Sequence, residues 1–391
     1  MTKLLGLTRE DWQDKGGLFT AEEIAQQPEM WQLTYAKILA LESELSDFYN
    51  QLLNKTNLKI IFTGAGTSGF VGDSIIPYLK KKYPQTEISS IHTTDIVSHP
   101  EIYFDKKTPT LLVSFARSGN SPESTATIKL AEQMVEDLYQ LVITCNKDGE
   151  LAQHVSSSKS KLILLPKKTN DRGFAMTSSF TSMLLAALLF FNIKKIKEME
   201  SVVDSKSREA AQIIESFSEN EELLTADFKK IIYLGAYGFY GLSKEASLKL
   251  LELTSGQIIT RYDTPLGFRH GPKSIVDQDT LIVFFLSEDE YALKYEYDLL
   301  KELNAGDLGY KTAVISRKEN KEVKNISDFY FSVNKSKNTE DEIFNSINYI
   351  IYAQIISLYK SIIKKIEPDN PSPDGSVNRV VQGVTIYPYK K

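Results

Sequence analysis

The chain has 391 residues, 42% of them hydrophobic and 25% charged, an ordinary globular composition on a length that exceeds one hydrophobic core, so two domains are expected. A formal net charge of -5 removes the basic footprint that binding a nucleic-acid backbone requires, and nucleic acid is not expected as a partner. One cysteine, Cys145, excludes an internal disulfide framework, and the histidines His92, His99, His154 and His270 show no metal-ligand spacing, so a reducing cytoplasm and no metal are expected.

In chain order, the first residues reach polar and acidic positions without a secretory apolar run. Thr20-Ala-Glu-Glu23 reads as a capping box, and Trp31 to about Leu53 is amphipathic. Residues 1–52 are therefore expected to be a helical extension that packs on the rest. Short aliphatic runs follow at Lys59 to Phe62, Leu111 to Phe115, Leu141 to Thr144 and Leu162 to Leu165, as buried parallel strands would require. Between them, Ser121-Pro122 opens a helix with a serine cap and proline at its first position, carried on by apolar residues from Ile128 to Val135. Met183 to Phe191 is intensely apolar but about half the ~20 residues a membrane helix needs, so it reads as a core helix and no membrane is expected.

The pattern then repeats. Lys59-Ile-Ile-Phe-Thr-Gly-Ala returns as Lys230-Ile-Ile-Tyr-Leu-Gly-Ala, 171 positions on. Thr110-Leu-Leu-Val-Ser-Phe returns as Thr280-Leu-Ile-Val-Phe-Phe at 170, and Tyr139-Gln-Leu-Val-Ile returns near Tyr310 at 171. Three matches in order imply duplicated α/β domains with doubly wound parallel sheets, placed at residues 53–205 and 206–391. Ligands of such sheets collect at the carboxyl ends of the strands. After Lys365 a run of prolines and glycine predicts a loop or extended tail.

Two segments of the first copy have the chemistry of an anion site. Gly64-Ala-Gly66-Thr67-Ser68-Gly69 follows a strand and opens a helix, where glycines allow close backbone approach and exposed amides attract phosphate. Its spacing also satisfies the dinucleotide pattern, without a placeable acidic ribose partner, and a tight turn with no ligand is the bland alternative. After the next strand comes Ala116-Arg117-Ser118-Gly119-Asn120-Ser121, hydroxyl-rich and again at a helix start. The second copy has Leu286-Ser-Glu-Asp-Glu-Tyr291 there, whose carboxylates would repel an anion, so only the first copy is expected to bind phosphate. The second copy instead carries Glu245, Lys249 and Glu252 at helical spacings of four and three, then His270 in an Arg-His-Gly-Pro turn. The bland reading of the first three is a solvated ion-pair face; with the histidine they supply a proton-transfer pair.

These residues resemble sugar isomerase (SIS) domain proteins, including the isomerase half of glucosamine-6-phosphate synthase, in the Gly66-Thr67-Ser68 and Ser118-Gly119-x-Ser121 loops and in a Lys-x-x-Glu helix ahead of a His-Gly-Pro turn. Within that family the runs Gly-Ala-Gly-Thr-Ser, Ala-Arg-Ser-Gly-Asn-Ser-Pro-Glu and Phe-Arg-His-Gly-Pro look like the galactosamine-6-phosphate deaminase/isomerase group, also described as tagatose-6-phosphate ketose/aldose isomerases. The resemblance implies two tandem SIS domains and conversion of galactosamine 6-phosphate and water to tagatose 6-phosphate and ammonia. It implies that Gly66, Thr67, Ser68, Ser118 and Ser121 hold the phosphate, with Arg117, where the synthase has glutamine, as a further contact. Glu252 would transfer the proton, His270 would help open the sugar ring, and Lys249 would stabilise developing charge. Gln382 stands where the synthase tail has its Schiff-base lysine, so it is expected to touch the site without forming an adduct. No cofactor is implied, and a homodimer or larger homo-oligomer with shared active sites is. The alternatives are an isomerase without deamination and a non-catalytic sugar-phosphate sensor.

Overall fold

Strands form where aliphatic runs can be buried on both faces. The computed structural model describes residues 3–306, 308–332, 340–381 and 383–390. In it β1 (Lys59–Thr63), β2 (Glu87–Ser90), β3 (Thr110–Ala116), β4 (Leu138–Thr144) and β5 (Ser160–Leu164) form one sheet in the order β2-β1-β3-β4-β5. A second sheet, β6 (Lys230–Gly235), β7 (Ile259–Asp263), β8 (Thr280–Phe285), β9 (Lys311–Ser316) and β10 (Phe329–Ser332), has the order β10-β9-β8-β6-β7, the same winding read from the other edge. Every pairing is parallel, and β3 and β8 are buried along their whole length.

The sequence repeat is therefore a repeat of topology and of register. Lys59 pairs with Thr110 in the first sheet, and Lys230 with Thr280 in the second. Even the ring stacking is duplicated: Phe62 on Phe115 at 6.1 Å and 10°, Tyr233 on Phe285 at 6.1 Å and 13°.

Two compact units result. One contains the first sheet and spans residues 29–171, 178–204 and 374–391; the other contains the second sheet and spans residues 1–28, 172–177 and 205–373. The N-terminal region is helical, as α1 (Arg9–Asp14), α2 (Leu18–Ala25), α3 (Gln27–Ala40) and α4 (Glu42–Leu53).

In the first-sheet unit, α5 (Thr67–Lys82) follows β1 and α6 (Pro122–Met134) follows β3, each leaving from the carboxyl end of its strand. The apolar run near Met183 is α7 (Ser178–Phe190), in which every residue is buried. Among the described residues no helix is long and apolar enough to cross a membrane. In the second-sheet unit, α8 (Gly238–Leu253) follows β6, α9 (Glu290–Asn304) follows β8, and α10 (Ser346–Ile363) is buried over most of its length.

One local expectation fails. Thr20 does not cap a helix; it lies inside α2, and the capping box is formed instead by Thr8 and Asp11 at α1. The first amides of α2, those of Phe19 and Thr20, donate to the carboxylate of Asp369 at 2.9 and 2.8 Å, so a distant residue supplies the cap. Glu23 turns its buried carboxylate to the backbone N–H of Arg172 and Gly173.

Candidate functional site

The first-sheet unit places both glycine- and serine-rich loops at the carboxyl ends of β1 and β3, adjacent strands on either side of the point where the winding reverses. At the first loop, Gly66 has φ 55° and ψ -127°, and a Cβ on Gly64 would lie 2.6 Å from the backbone carbon of Ser68. A side chain at Gly64 would collide with the backbone of Ser68, and Gly66 adopts its positive-φ conformation at little cost. Thr67 and Ser68, the first two residues of that 16-residue helix, are 3% and 5% exposed. The Ser68 amide donates to the Ala65 carbonyl at 3.2 Å, and the start of a helix is where anions bind. The Oγ1 atoms of Thr63, Thr67 and Thr93 are buried without a hydrogen-bond partner in the structure, and the Thr93 amide donates to the Gly64 carbonyl, so three unpaired hydroxyls belong to this loop and its immediate support. Buried hydroxyls in that state call for a ligand or water.

The second loop is held from below. Asn146 Nδ2 donates to the Ser118 carbonyl at 2.8 Å, and the Glu150 amide donates to Asn120 Oδ1 at 2.9 Å. Gly119 has φ 71°, and Ser121 caps α6 by position only: its hydroxyl pairs with that of Ser124 at 2.6 Å and accepts nothing from the helix amides. Proline at the next position fixes the helix start, as its sequence predicts. Arg117 is 7% exposed, and its Nη2 donates at 2.7 Å to the carbonyl of Arg379 in the C-terminal segment. Gln382 lies outside the described residues.

In the second-sheet unit the loop after β8 is closed. Asp289 caps α9 by accepting from the amides of Tyr291 and Ala292. The Ser287 amide and hydroxyl donate to Glu296 at 2.9 and 2.7 Å, and the Glu288 amide donates to Glu342. Burial pushes the Glu296 carboxyl up to about 7 and raises that of Glu342. The chain's own carboxylates thus occupy the donors that an anion would use. A cavity of about 540 Å³ beside this loop has a lining of mixed charge, including Glu288, Lys318 and Glu322. Nothing in the local sequence pointed to Glu296 or Glu342, which reach the loop from 9 and 54 residues away.

Helix α8 carries Glu245, Lys249 and Glu252 on one face, as their spacing predicts. Lys249 is wholly buried between the two carboxylates, 3.5 Å from Glu245 and hydrogen-bonded to Glu252. Glu245 is also wholly buried, whereas the Glu252 side chain is 24% exposed. This is a buried charge relay with one solvent-reaching end, not a solvated ion-pair face. The Lys249 bond restrains the Glu252 carboxylate. His270 is exposed on the turn after Pro265–Phe268, whose start is capped by Thr264; no hydrogen bond or ion pair among the described residues links its ring to Lys249 or Glu252. Among the described residues no group of three or more His, Cys, Asp or Glu could hold a metal ion.

The SIS domain model matches residues 52–193, the stretch that contains the first sheet and both open loops. The D-galactosamine-6-phosphate deaminase AgaS of Shewanella sp. (strain ANA-3) is 40% identical over 98% of this chain and 96% of its own length. Among solved structures, a Clostridium novyi protein assigned to the tagatose-6-phosphate ketose/aldose isomerases is 47% identical with a TM-score of 0.97, both chains being covered in full. The tagatose-6-phosphate ketose/aldose isomerase of Escherichia coli is 38% identical with a TM-score of 0.86, covering 96% of this chain and 98% of its own. With two sheets of one winding and relatives aligned almost end to end, the chain belongs to the AgaS family of SIS-domain proteins.

Proposed function

We propose that this protein is a galactosamine-6-phosphate deaminase/isomerase, converting D-galactosamine 6-phosphate and water to D-tagatose 6-phosphate and ammonia. The observation that carries the reading is the end-to-end similarity to the Shewanella deaminase at 40% identity. It is supported by the open loops of the first sheet and by the Lys249-braced Glu252 of the second.

In this reading Gly66, Thr67, Ser68, Ser118 and Ser121 hold the 6-phosphate through amides and hydroxyls, and binding energy remote from the reacting carbons orients them. His270 assists ring opening to the aldehyde. Glu252 takes the proton from C2, giving an enolamine with a C1 hydroxyl, and returns a proton to C1. The C2 imine so formed adds water and expels ammonia, leaving the ketose. Lys249, between the Glu245 and Glu252 carboxylates, keeps Glu252 aimed. The substrate's own amine provides the imine, so no lysine adduct is required.

We further propose a homodimer or larger closed assembly, sharing active sites, in the cytoplasm. Supporting this, exposed His270 is accompanied by exposed apolar side chains, Leu251 on α8, Ile259 and Tyr262 on edge strand β7, and Leu266 in the turn before it.

Ammonia release from galactosamine 6-phosphate and glucosamine 6-phosphate, with wild type and Glu252→Gln, tests the activity. Galacto-selective release that vanishes in the variant is the expected result. The solved tagatose-6-phosphate isomerase relatives favour the second reading, an isomerase without deamination. Interconversion of neutral hexose phosphates with no ammonia from either amino sugar would decide for it.

A further inference from the structure

Arg117 immediately precedes Ser118, and a guanidinium beside a phosphate cradle invites the role of phosphate ligand. The geometry gives it a different partner. Its Nη2 reaches the backbone carbonyl of Arg379, 262 residues further on, at 2.7 Å. Arg379 is fixed in turn: its Nη2 donates to the carbonyl of Asp171 and lies 3.4 Å from Asn170 Oδ1. Asp171 is fully buried, and its carboxylate accepts from the Ser178 hydroxyl and from the amide and hydroxyl of Ser179 at the start of α7. The anchor is therefore part of the core of the unit.

Further along the tail, Tyr389 donates its hydroxyl to Glu101 at 3.1 Å and packs against the first-sheet core, while Tyr387 is 80% exposed. The C-terminal segment is thus tied down at Arg379 and at Tyr389, and one of the ties is a side chain of the second glycine- and serine-rich loop.

We propose that Arg117 is a positioning residue that clasps the C-terminal segment to the Ser118–Ser121 loop, so that tail docking and phosphate binding reinforce each other. The acceptor is a neutral carbonyl, so the bond leaves the charge of Arg117 on the loop while fixing its direction. Two events that stabilise the same loop conformation must each raise the affinity of the other by one common factor. The kinetic part of this proposal rests on the deaminase reading; the docking part does not.

The test uses full-length Arg117→Ala, Arg379→Ala and the double variant, with two readouts. Chymotrypsin cleavage after Tyr389, whose ring must leave Glu101 and the first-sheet core to enter the protease, reports tail docking without any substrate. KM and kcat for galactosamine 6-phosphate report coupling to the site. A hydrogen bond from a charged donor predicts release of the tail by about tenfold or more. We expect cleavage to rise by that order in both single variants, KM to rise in parallel with little change in kcat, and the double variant to go no further. Wild-type cleavage in Arg117→Ala overturns the clasp, as does a KM effect that multiplies with that of Arg379→Ala, which would make Arg117 a direct phosphate ligand. Should wild type release no ammonia, the deaminase reading fails while the cleavage comparison still decides the clasp. If Arg117→Ala does not fold, Arg117→Met, which keeps the buried stem and removes only the donor, carries the same comparison.

Discussion

Gly66 and Tyr237, 171 residues apart in sequence, have the same backbone conformation, φ 55° with ψ -127° and φ 55° with ψ -132°. Each immediately precedes the first helix of its sheet. Duplication kept the turn and changed the residue: in the first copy glycine adopts this region at little cost, and in the second a tyrosine holds it under strain. The second copy also keeps Gly235, where a Cβ would lie 2.6 Å from the Phe239 carbonyl oxygen, as Gly64 faces Ser68 in the first. The steric need for a glycine at the strand end is therefore common to both, while the open glycine at the helix entrance is particular to the phosphate-type loop.

Gly66→Ala should consequently fold, because Tyr237 shows that the scaffold tolerates a side chain in that conformation. It should lose about 1–3 kcal/mol through backbone strain. Its Cβ would stand at the helix entrance, the proposed phosphate site, so KM for the sugar phosphate should rise more than kcat falls. Urea melts and steady-state kinetics measure the two effects separately. An unchanged KM would remove the loop from the binding site.

Lys249 and Glu252 should behave oppositely although they are hydrogen-bonded to each other. Glu252 reaches solvent, so Glu252→Gln keeps shape and hydrogen bonding and should leave stability within about 1 kcal/mol while activity drops by about 10²–10⁴-fold, the range for loss of a general base. Lys249 is wholly buried, and Lys249→Met removes the positive charge from between two carboxylates, one of them also wholly buried. Breaking a buried pair costs about 3–5 kcal/mol. A Lys249→Met protein that melts like wild type would show that Glu245 is held neutral in the native state.

What could be read from the residues was local or repetitive. The aliphatic runs near Ile60, Leu112 and Val142 specified parallel strands because burial on both faces leaves no alternation. Ser121-Pro122 specified the start of α6 because proline presets the first helical φ. The spacing of Glu245, Lys249 and Glu252 revealed a shared face but not its burial, which is set by packing rather than by helix geometry. Thr20 was misread because its competitor, Asp369, is remote in sequence; a capping pattern cannot register a carboxylate that arrives from the other end of the chain. The same holds for Arg117, which reaches a backbone carbonyl 262 residues away, a partner that leaves no residue signature.

Glu296 gives the fold a predictable dependence on pH. It is 2% exposed, and burial raises its carboxyl to about 7 against the partial relief of two hydrogen bonds from Ser287. In the unfolded chain the group titrates near its ordinary value of 4.5. Between about 4.5 and 7 the native state therefore holds a proton that the unfolded state has lost, and stability must fall as pH rises through that window. The full difference approaches about 3 kcal/mol, from about 1.4 kcal/mol for each pH unit. Glu296→Gln retains an acceptor for the Ser287 amide and never ionises, so it should match wild type near pH 5 and exceed it at pH 8. Denaturant melts of both proteins at the two pH values check this. Parallel pH profiles for wild type and variant would mean that Glu296 stays ionised in the native protein, its charge satisfied by the Ser287 donors alone.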